Sequence, residues 1–304
     1  MKTNKKSTID TDKHQFNKAI QCQSWDGVAN GYRKWHKQIE EKGARKVSNR
    51  LLELAEIRPG HRVLDIATGY GEPAVSAAQC VSSSHGYVLA IDTSRQMLEI
   101  AKERSTELGL QNIIEFKQSD AERVELPKSF FDIAVCRWGL MFLPNLNAVL
   151  SRIYDVLIQG GRFASAVWSS PHKVPLISLP MNVIRREIGS QMSQTDPSTL
   201  GPFSLSDINI LEQSFIQAGF QEIRTELIDV IFELPSAEQF IEIIQELNVS
   251  FNSVLSNMST VKKAKILKAI TDELDHSYID NQTGHIRLAN ETICISGRKG
   301  GELN

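Results

Sequence analysis

Four charged side chains stand where an apolar run of the chain stops: Asp65, Asp92, Asp120 and Arg137. The first closes Arg62-Val63-Leu64-Asp65-Ile66, after which Ala67-Thr68-Gly69-Tyr70-Gly71-Glu72-Pro73 turns sharply into a predicted helix. Glycine permits backbone angles that other residues resist. Proline suits the first helical position because its missing N–H has no intrahelical partner there. A strand that stops on such a turn presents backbone N–H groups and a helix N-terminus to a ligand.

Gly69-Tyr70-Gly71-Glu72-Pro73-Ala74 fits the relaxed dinucleotide pattern G-x-G-x-x-A, with Asp92 about twenty residues further on. The pattern alone does not separate a nicotinamide cofactor from another adenosine-containing one. Three details favour the second. Asp65 would repel a pyrophosphate but could hold an amino group. Asp120-Ala121 supplies a further acidic site suited to an adenine amino group. The last two predicted strands, joined by a helical insertion, are not expected of a plain dinucleotide domain.

The elements that must position these residues alternate. Strands are predicted at Arg62–Ile66, Tyr87–Asp92, 112–118, 131–136 and 162–168, with helices between them. Ser94 is the expected N-cap of a helix that stops at Gly109. Five such units predict a Rossmann-like α/β fold, a parallel sheet covered on both faces with ligands beyond the carboxyl ends of its strands. Residues 1 to about 20 are polar and read as frayed. Beyond Trp168, residues 169–204 mix Pro, Ser, Met and Thr and read as a mobile cover. A helix over 206–218, a strand over 222–234, a helical insertion at about 236–284 and a final strand over 285–296 follow.

A formal charge of -2 argues against nucleic acid or an anionic membrane as the main partner. No stretch is long and apolar enough to span a bilayer. The N-terminus lacks a secretory signal, so a cytoplasmic protein is expected. Cys22, Cys80, Cys136 and Cys294 lie far apart, and no carboxylate/histidine cluster asks for a metal. Lys262, Lys263, Lys265 and Lys268 read as a solvated helix face. Oligomeric state is not legible, and a homodimer stays open.

Val63–Gly71, Ala90-Ile91-Asp92, Ser119-Asp120-Ala121 and Phe131–Val135 together resemble the ordered motifs of class I S-adenosylmethionine-dependent methyltransferases. Arg137-Trp138-Gly139-Leu140-Met141-Phe142-Leu143-Pro144 resembles the small-molecule branch that includes quinone and natural-product enzymes. The resemblance covers roughly residues 44–168, and Ala67 replaces a usual family glycine. It implies a seven-stranded, mostly parallel sheet with an antiparallel last strand. It implies that Asp65 and the Ala67, Thr68, Gly69 and Gly71 backbone hold the methionyl amino and carboxylate groups. Asp92 would accept both ribose hydroxyls. Thr93 and Met97 would flank the adenine, Asp120 and Ala121 would read its edge, and Arg137 would lie beside the cofactor.

Methyl transfer from a sulfonium needs an aligned nucleophile and a water-poor cavity. An oxygen acceptor would also need a base, and His36 and His172 are the candidates. Tyr32 and Trp35 could close over the cofactor or stack on a flat acceptor, though an N-terminal helix packed on the domain accounts for them equally well. Trp138 and Trp168 are expected as cavity walls, and Met97 serves as well in an ordinary core. The expected organisation is an N-terminal lid segment (1–43), a cofactor-binding core (44–168), the cover (169–204) and the C-terminal part of the core (205–304). The expected reaction is O- or C-methylation of a small hydrophobic or aromatic acceptor. A nicotinamide-dependent oxidoreductase and a catalytically silent methyltransferase-like binding protein remain the alternatives.

Overall fold

The computed structural model describes residues 5–189 and 200–300 of the 304-residue chain. Its N-terminal half contains α1 (Lys5–Ile39), α2 (Arg45–Leu54), β1 (Arg62–Ile66), α3 (Ala74–Val81), β2 (Tyr87–Asp92), α4 (Arg95–Glu107) and β3 (Ile114–Gln118). Next come β4 (Phe131–Arg137), α5 (Leu146–Val156), β5 (Leu157–Trp168), α6 (Pro175–Ile188) and α7 (Ile208–Gln217). The chain closes with β6 (Phe220–Leu234), α8 (Ala237–Leu247), α9 (Val249–Ser256), α10 (Thr260–Ser277) and β7 (Ile286–Lys299).

β1 lies in the interior of a seven-stranded sheet of order β3-β2-β1-β4-β5-β7-β6. Helices cover both of its faces, which is why its sequence is an apolar run interrupted only by Asp65. β1 to β5 pair in parallel, and β7 runs antiparallel to both β5 and β6. The expected mostly parallel sheet with an antiparallel last strand is what the chain forms. Strand order reverses between β1 and β4, and that switch point opens a crevice beyond their carboxyl ends.

The helix starts follow local chemistry. Ser94 Oγ accepts from Met97 N at 3.1 Å and begins α4, while Asn145 and Asp207 do the same for α5 and α7. α3 begins at Ala74, so Pro73 stands one place before the first helical residue rather than on it.

The lid regions differ most from their sequence reading. From Lys5 onward the stretch expected to fray is part of α1, a 35-residue helix. Within the expected mobile cover, residues 175–188 form α6, with Pro175 in the first turn and Pro180 inside the helix. Residues 1–4, and 190–199 of that cover, lie outside the described residues. The insertion expected as one helical stretch is α8, α9 and α10, started separately by Ser236, Asn248 and Ser259. These helices build a second apolar core with α6. Val183 and Ile184 meet Phe240, Phe251, Ile270 and Leu274 there, over Leu234 of β6 and Leu288 of β7. The long β6–β7 pair thus carries one core at its base and another at its tip.

α1 crosses above the sheet and packs on α8. Gly31 is the point of closest approach: a Cβ there would lie 2.5 Å from the Glu246 carbonyl oxygen. Gly31→Ala should therefore push α1 away from α8 and cost about 1–3 kcal/mol of stability, measured by urea denaturation.

Candidate functional site

A cavity of about 660 Å³ lies at the switch point, within the ~300–1,000 Å³ usual for small-molecule sites. Its floor is the turn Ala67–Tyr70 with Glu72, and its walls include Asp92, Thr93, Met97, Asp120, Ala121 and Arg137. α1 roofs it with Trp25, Tyr32 and Trp35, and α8 adds Ile243, Ile244 and Leu247.

The turn is bonded almost entirely to itself and its neighbours. Asp65 lies wholly buried behind it, and its Oδ2 accepts from Thr68 Oγ1 at 2.6 Å and Ala74 N at 2.8 Å. Gly69 N donates to Asp92 Oδ2 at 2.8 Å, and the N–H groups of Gly71 and Glu72 go to Thr68 O. Asp65 thus occupies the start of α3, where a pyrophosphate would have to bind. Its Oδ1 has no hydrogen-bond partner among the described residues. Burial pushes this carboxyl up to about 7, although the bonds from Thr68 and Ala74 and the charge of Arg137 oppose the rise.

Gly69 has φ +55, and a Cβ there would meet nothing within 4 Å, so the turn leaves room above it. Ala67 adopts the same left-handed conformation, φ 55. Its methyl group takes the space beside Gly139, where a Cβ would lie 2.6 Å from it. The family glycine that Ala67 replaces is thus balanced by a glycine across the crevice.

Asp92 accepts Gly69 N on one oxygen and Ser94 N on the other, both at 2.8 Å. Each oxygen keeps a lone pair for a further donor. Burial raises the Asp92 carboxyl, against the bonds from Ser94, Gly69 and Thr93. Asp120 Oδ1 accepts Glu122 N at 2.9 Å.

Arg137 lines the cavity, but its guanidinium is engaged beneath it. Nη2 donates to Glu40 Oε1 at 2.6 Å and to the Tyr70 hydroxyl at 2.8 Å. Nη1 donates to Glu40 Oε2 and Ala44 O at 3.0 Å, and to Ser48 Oγ at 2.8 Å. Tyr70 in turn donates to Glu40 Oε1 at 2.6 Å, and Arg104 Nη1 donates to the Tyr70 carbonyl at 2.6 Å. Burial works to raise the Glu40 carboxyl, yet the charge and bonds of Arg137 prevail and hold it below its usual range.

α1 is clasped at its other end too. Cys22 Sγ donates to Thr93 O at 3.2 Å, and Asp26 Oδ1 accepts from Ser94 Oγ at 2.5 Å. Tyr32 stacks on Tyr70 with ring centroids 5.4 Å apart, and burial pushes its hydroxyl up to about 12. Trp35 Nε1 donates to Glu246 Oε2 at 2.6 Å. The rings of Trp138 and Trp168 stack at 4.3 Å, and Trp138 Nε1 donates to Thr292 Oγ1 at 2.8 Å.

Residues 64–165 match the family described as "Methyltransferase domain". That stretch, β1 to β5, is similar to a methyltransferase domain. One relative, the ubiquinone/menaquinone biosynthesis C-methyltransferase UbiE of Pseudomonas putida, is 34% identical over 120 residues. That stretch is 40% of this chain and 46% of the relative, so the match spans about half the length of the curated relatives. The YcgJ protein of Bacillus subtilis is similar in fold, with TM-score 0.56 and 20% identity over 84% of this chain and 99% of that one. The [4+2]-cyclase SpnF is similar at TM-score 0.53 and 20% identity, over 84% of this chain and 81% of its own. The fold alone therefore does not fix the reaction.

In and around this stretch most of the expected site residues converge. Ala67, Thr68, Gly69, Asp92, Thr93, Met97, Asp120, Ala121 and Arg137 all line the cavity, as do Tyr32, Trp35, Trp138 and Trp168. Asp65 stands behind the wall, and Gly71 packs against α4, where a Cβ would lie 3.1 Å from Ala101 Cβ. The two histidines require correction. His36 lies outside the cavity lining because its Nδ1 turns back to the carbonyls of Tyr32 and Arg33. Burial and the charge of Arg104 lower its basicity further. His172 sits exposed in a turn over Pro171–Lys173, outside the lining. Among the described residues no cluster of histidine, cysteine or carboxylates could hold a metal. None of the described helices is long and apolar enough to cross a membrane.

The residues that sequence reasoning missed are Cys22, Asp26 and Glu40, all on α1 or in the turn after it. Asp26 follows Trp25 and stands shortly before Tyr32 and Trp35, so a signal existed for it. Glu40 gave none.

Two outcomes follow from these bonds. Glu40→Ala leaves Arg137 buried without its carboxylate and should cost about 3–5 kcal/mol in chemical denaturation. Between about pH 4 and 7 the folded state keeps a proton on Asp65 that the unfolded chain has released. Asp65 should therefore make stability fall as pH rises through that window, by up to about 1.4 kcal/mol per unit. Asp65→Asn should remove that part of the slope in urea titrations at stepped pH.

Proposed function

We propose that the chain transfers a methyl group from S-adenosylmethionine to the carbon or oxygen of a small hydrophobic or aromatic acceptor. The observation that carries this reading is the acidic, inward-bonded turn opening on an aromatic cavity. Its N–H groups are largely engaged and Asp65 holds the start of α3, so a dinucleotide pyrophosphate has no cradle there. An amino-acid end suits it better. Asp65 supports the turn from behind the wall, and the space above Gly69 admits the methionyl chain.

The residues divide the work by position. Asp65 braces Ala67, Thr68, Gly69 and Gly71 around the methionyl group. Asp92 offers one lone pair per oxygen to the two ribose hydroxyls. Thr93 and Met97 flank the adenine, while Asp120 and the N–H of Ala121 read its edge. Arg137 acts through Tyr70 and Glu40, which fix the turn and the roof. When bound, the sulfonium supplies an activated methyl group and leaves as a neutral thioether. Tyr32, Trp35, Trp138 and Trp168 hold a flat acceptor and exclude water. The segments 1–43, 169–204 and the insertion at about 236–284 make the lid around it.

The described lining contains no histidine, and its carboxylates are bonded to the protein, which suits an acceptor that brings its own nucleophilicity. An electron-rich ring carbon or an acidic hydroxyl does so. The curated relatives are named as C-methyltransferases, which favours carbon. The same lack of a base favours one second reading, a binding protein that holds the cofactor without turnover.

Asp92→Ala should weaken binding of S-adenosylhomocysteine by about 2–4 kcal/mol in calorimetry, and unchanged affinity would sink the cofactor assignment. Incubation with methyl-labelled donor and a metabolite extract, read by mass spectrometry, separates an enzyme from a silent binder.

A further inference from the structure

Five charged side chains line the cavity: Lys42, Glu72, Asp92, Asp120 and Arg137. Four of them are engaged. Glu72 accepts from Arg104 at 3.1 Å and Ser76 at 2.7 Å, and Arg137 is paired with Glu40. Asp92 and Asp120 accept backbone N–H groups. Lys42 has neither an ion pair nor a hydrogen bond to any described residue. Its sequence neighbour Glu41 is exposed and makes no bond to it, and the next carboxylates are used elsewhere. Glu40 holds Arg137, while Glu242 and Glu246 hold Lys34.

Position gives this cation its meaning. Lys42 belongs to the turn Glu40–Ala44, which packs on β6: a Cβ on Gly43 would lie 2.8 Å from Val230 Cγ1. Phe232 and Leu234, further along β6, line the same cavity. β6 is the sheet edge opposite β3, far from the strand end that carries Asp92. The three lining carboxylates belong to the donor side, and the lysine to the acceptor side. Lys42 is a half-buried residue on a wall that is otherwise apolar and aromatic, and an ammonium on such a wall gains from meeting an anion.

Resting on the methyl-transfer reading, we infer that the acceptor is an organic anion. It is a flat, apolar molecule whose carboxylate, or equally acidic phenol or enol oxygen, pairs with Lys42. Its body lies among the aromatic walls, and the carboxylates of the donor end set its orientation by repelling the charged group. An acceptor of this kind also fits a cavity whose described lining has no histidine base.

Calorimetry on the full chain saturated with S-adenosylhomocysteine tests this with two matched pairs of probes. One pair is 2-naphthoate and its neutral isostere 2-naphthamide; the other is 4-nitrophenolate and 4-nitroanisole. The anion of at least one pair should bind about tenfold tighter than its neutral partner, and the pair that responds tells a carboxylate from an ionised phenol. Lys42→Met should level the pair while leaving S-adenosylhomocysteine affinity unchanged, and Lys42→Arg should keep the preference. No anion preference in either pair, or a preference that survives in Lys42→Met, overturns the inference. The wild-type comparison stands whether or not the variant folds. Failure of the wild-type chain to bind S-adenosylhomocysteine would instead count against the methyl-transfer reading.

Discussion

The buried pair of Glu40 and Arg137 is the interaction on which the site depends. Arg137 ends β4 and Glu40 follows α1, so the pair ties the roof of the cavity to the central sheet. Tyr70 joins it from the glycine turn, and the floor is therefore fixed by the same bonds as the roof. The surface pairs of α1, Arg33 with Glu103 and Lys34 with Glu242, are half-exposed and contribute little. The desolvated Glu40 carboxylate, with the Tyr32–Tyr70 stack and the bonds of Asp26 and Trp35, orients α1 more than its many surface charges do.

This arrangement divides the cavity chemically. One end is acidic and polar, built from strand ends β1 to β3 and capped by Cys22 and Asp26. The other is apolar and aromatic, built from the helical core of α6 and α8 to α10 and the β6–β7 tip. The wall between them is the run from Arg137 to Pro144, including Trp138 at φ 56. A left-handed tryptophan carries a conformational cost of about 1–2 kcal/mol, met here by bonds to Ala166 and Thr292. Strain of this kind fixes where the indole ring stands.

The convergence of the acidic end of the cavity was legible in the sequence because its determinants are local. Asp65, Asp92 and Asp120 each follow an apolar strand within a few residues, and Ser94 announces its own helix. The lid was harder for the opposite reason. Glu40 lies in Gln38-Ile39-Glu40-Glu41-Lys42-Gly43, a run that looks solvated, and only Arg137, far along the chain, explains its burial. α6 was hidden by Pro175 and Pro180, which suggest irregular chain. The first stands in the opening turn, where a missing N–H costs nothing. His36 faced the wrong way because its rotation on α1 is set by Tyr32 and Trp35, which take the cavity side.

The aromatic walls have a spectroscopic consequence. The chain has four tryptophans, Trp25, Trp35, Trp138 and Trp168, and every one of them lines this single cavity. Two are stacked face to face, one meets Phe142 edge-on, and one is bonded to Glu246. The tryptophan emission of the protein therefore originates at this cavity. The fold has made its own indicator, in which any change of contents alters the surroundings of every emitting indole.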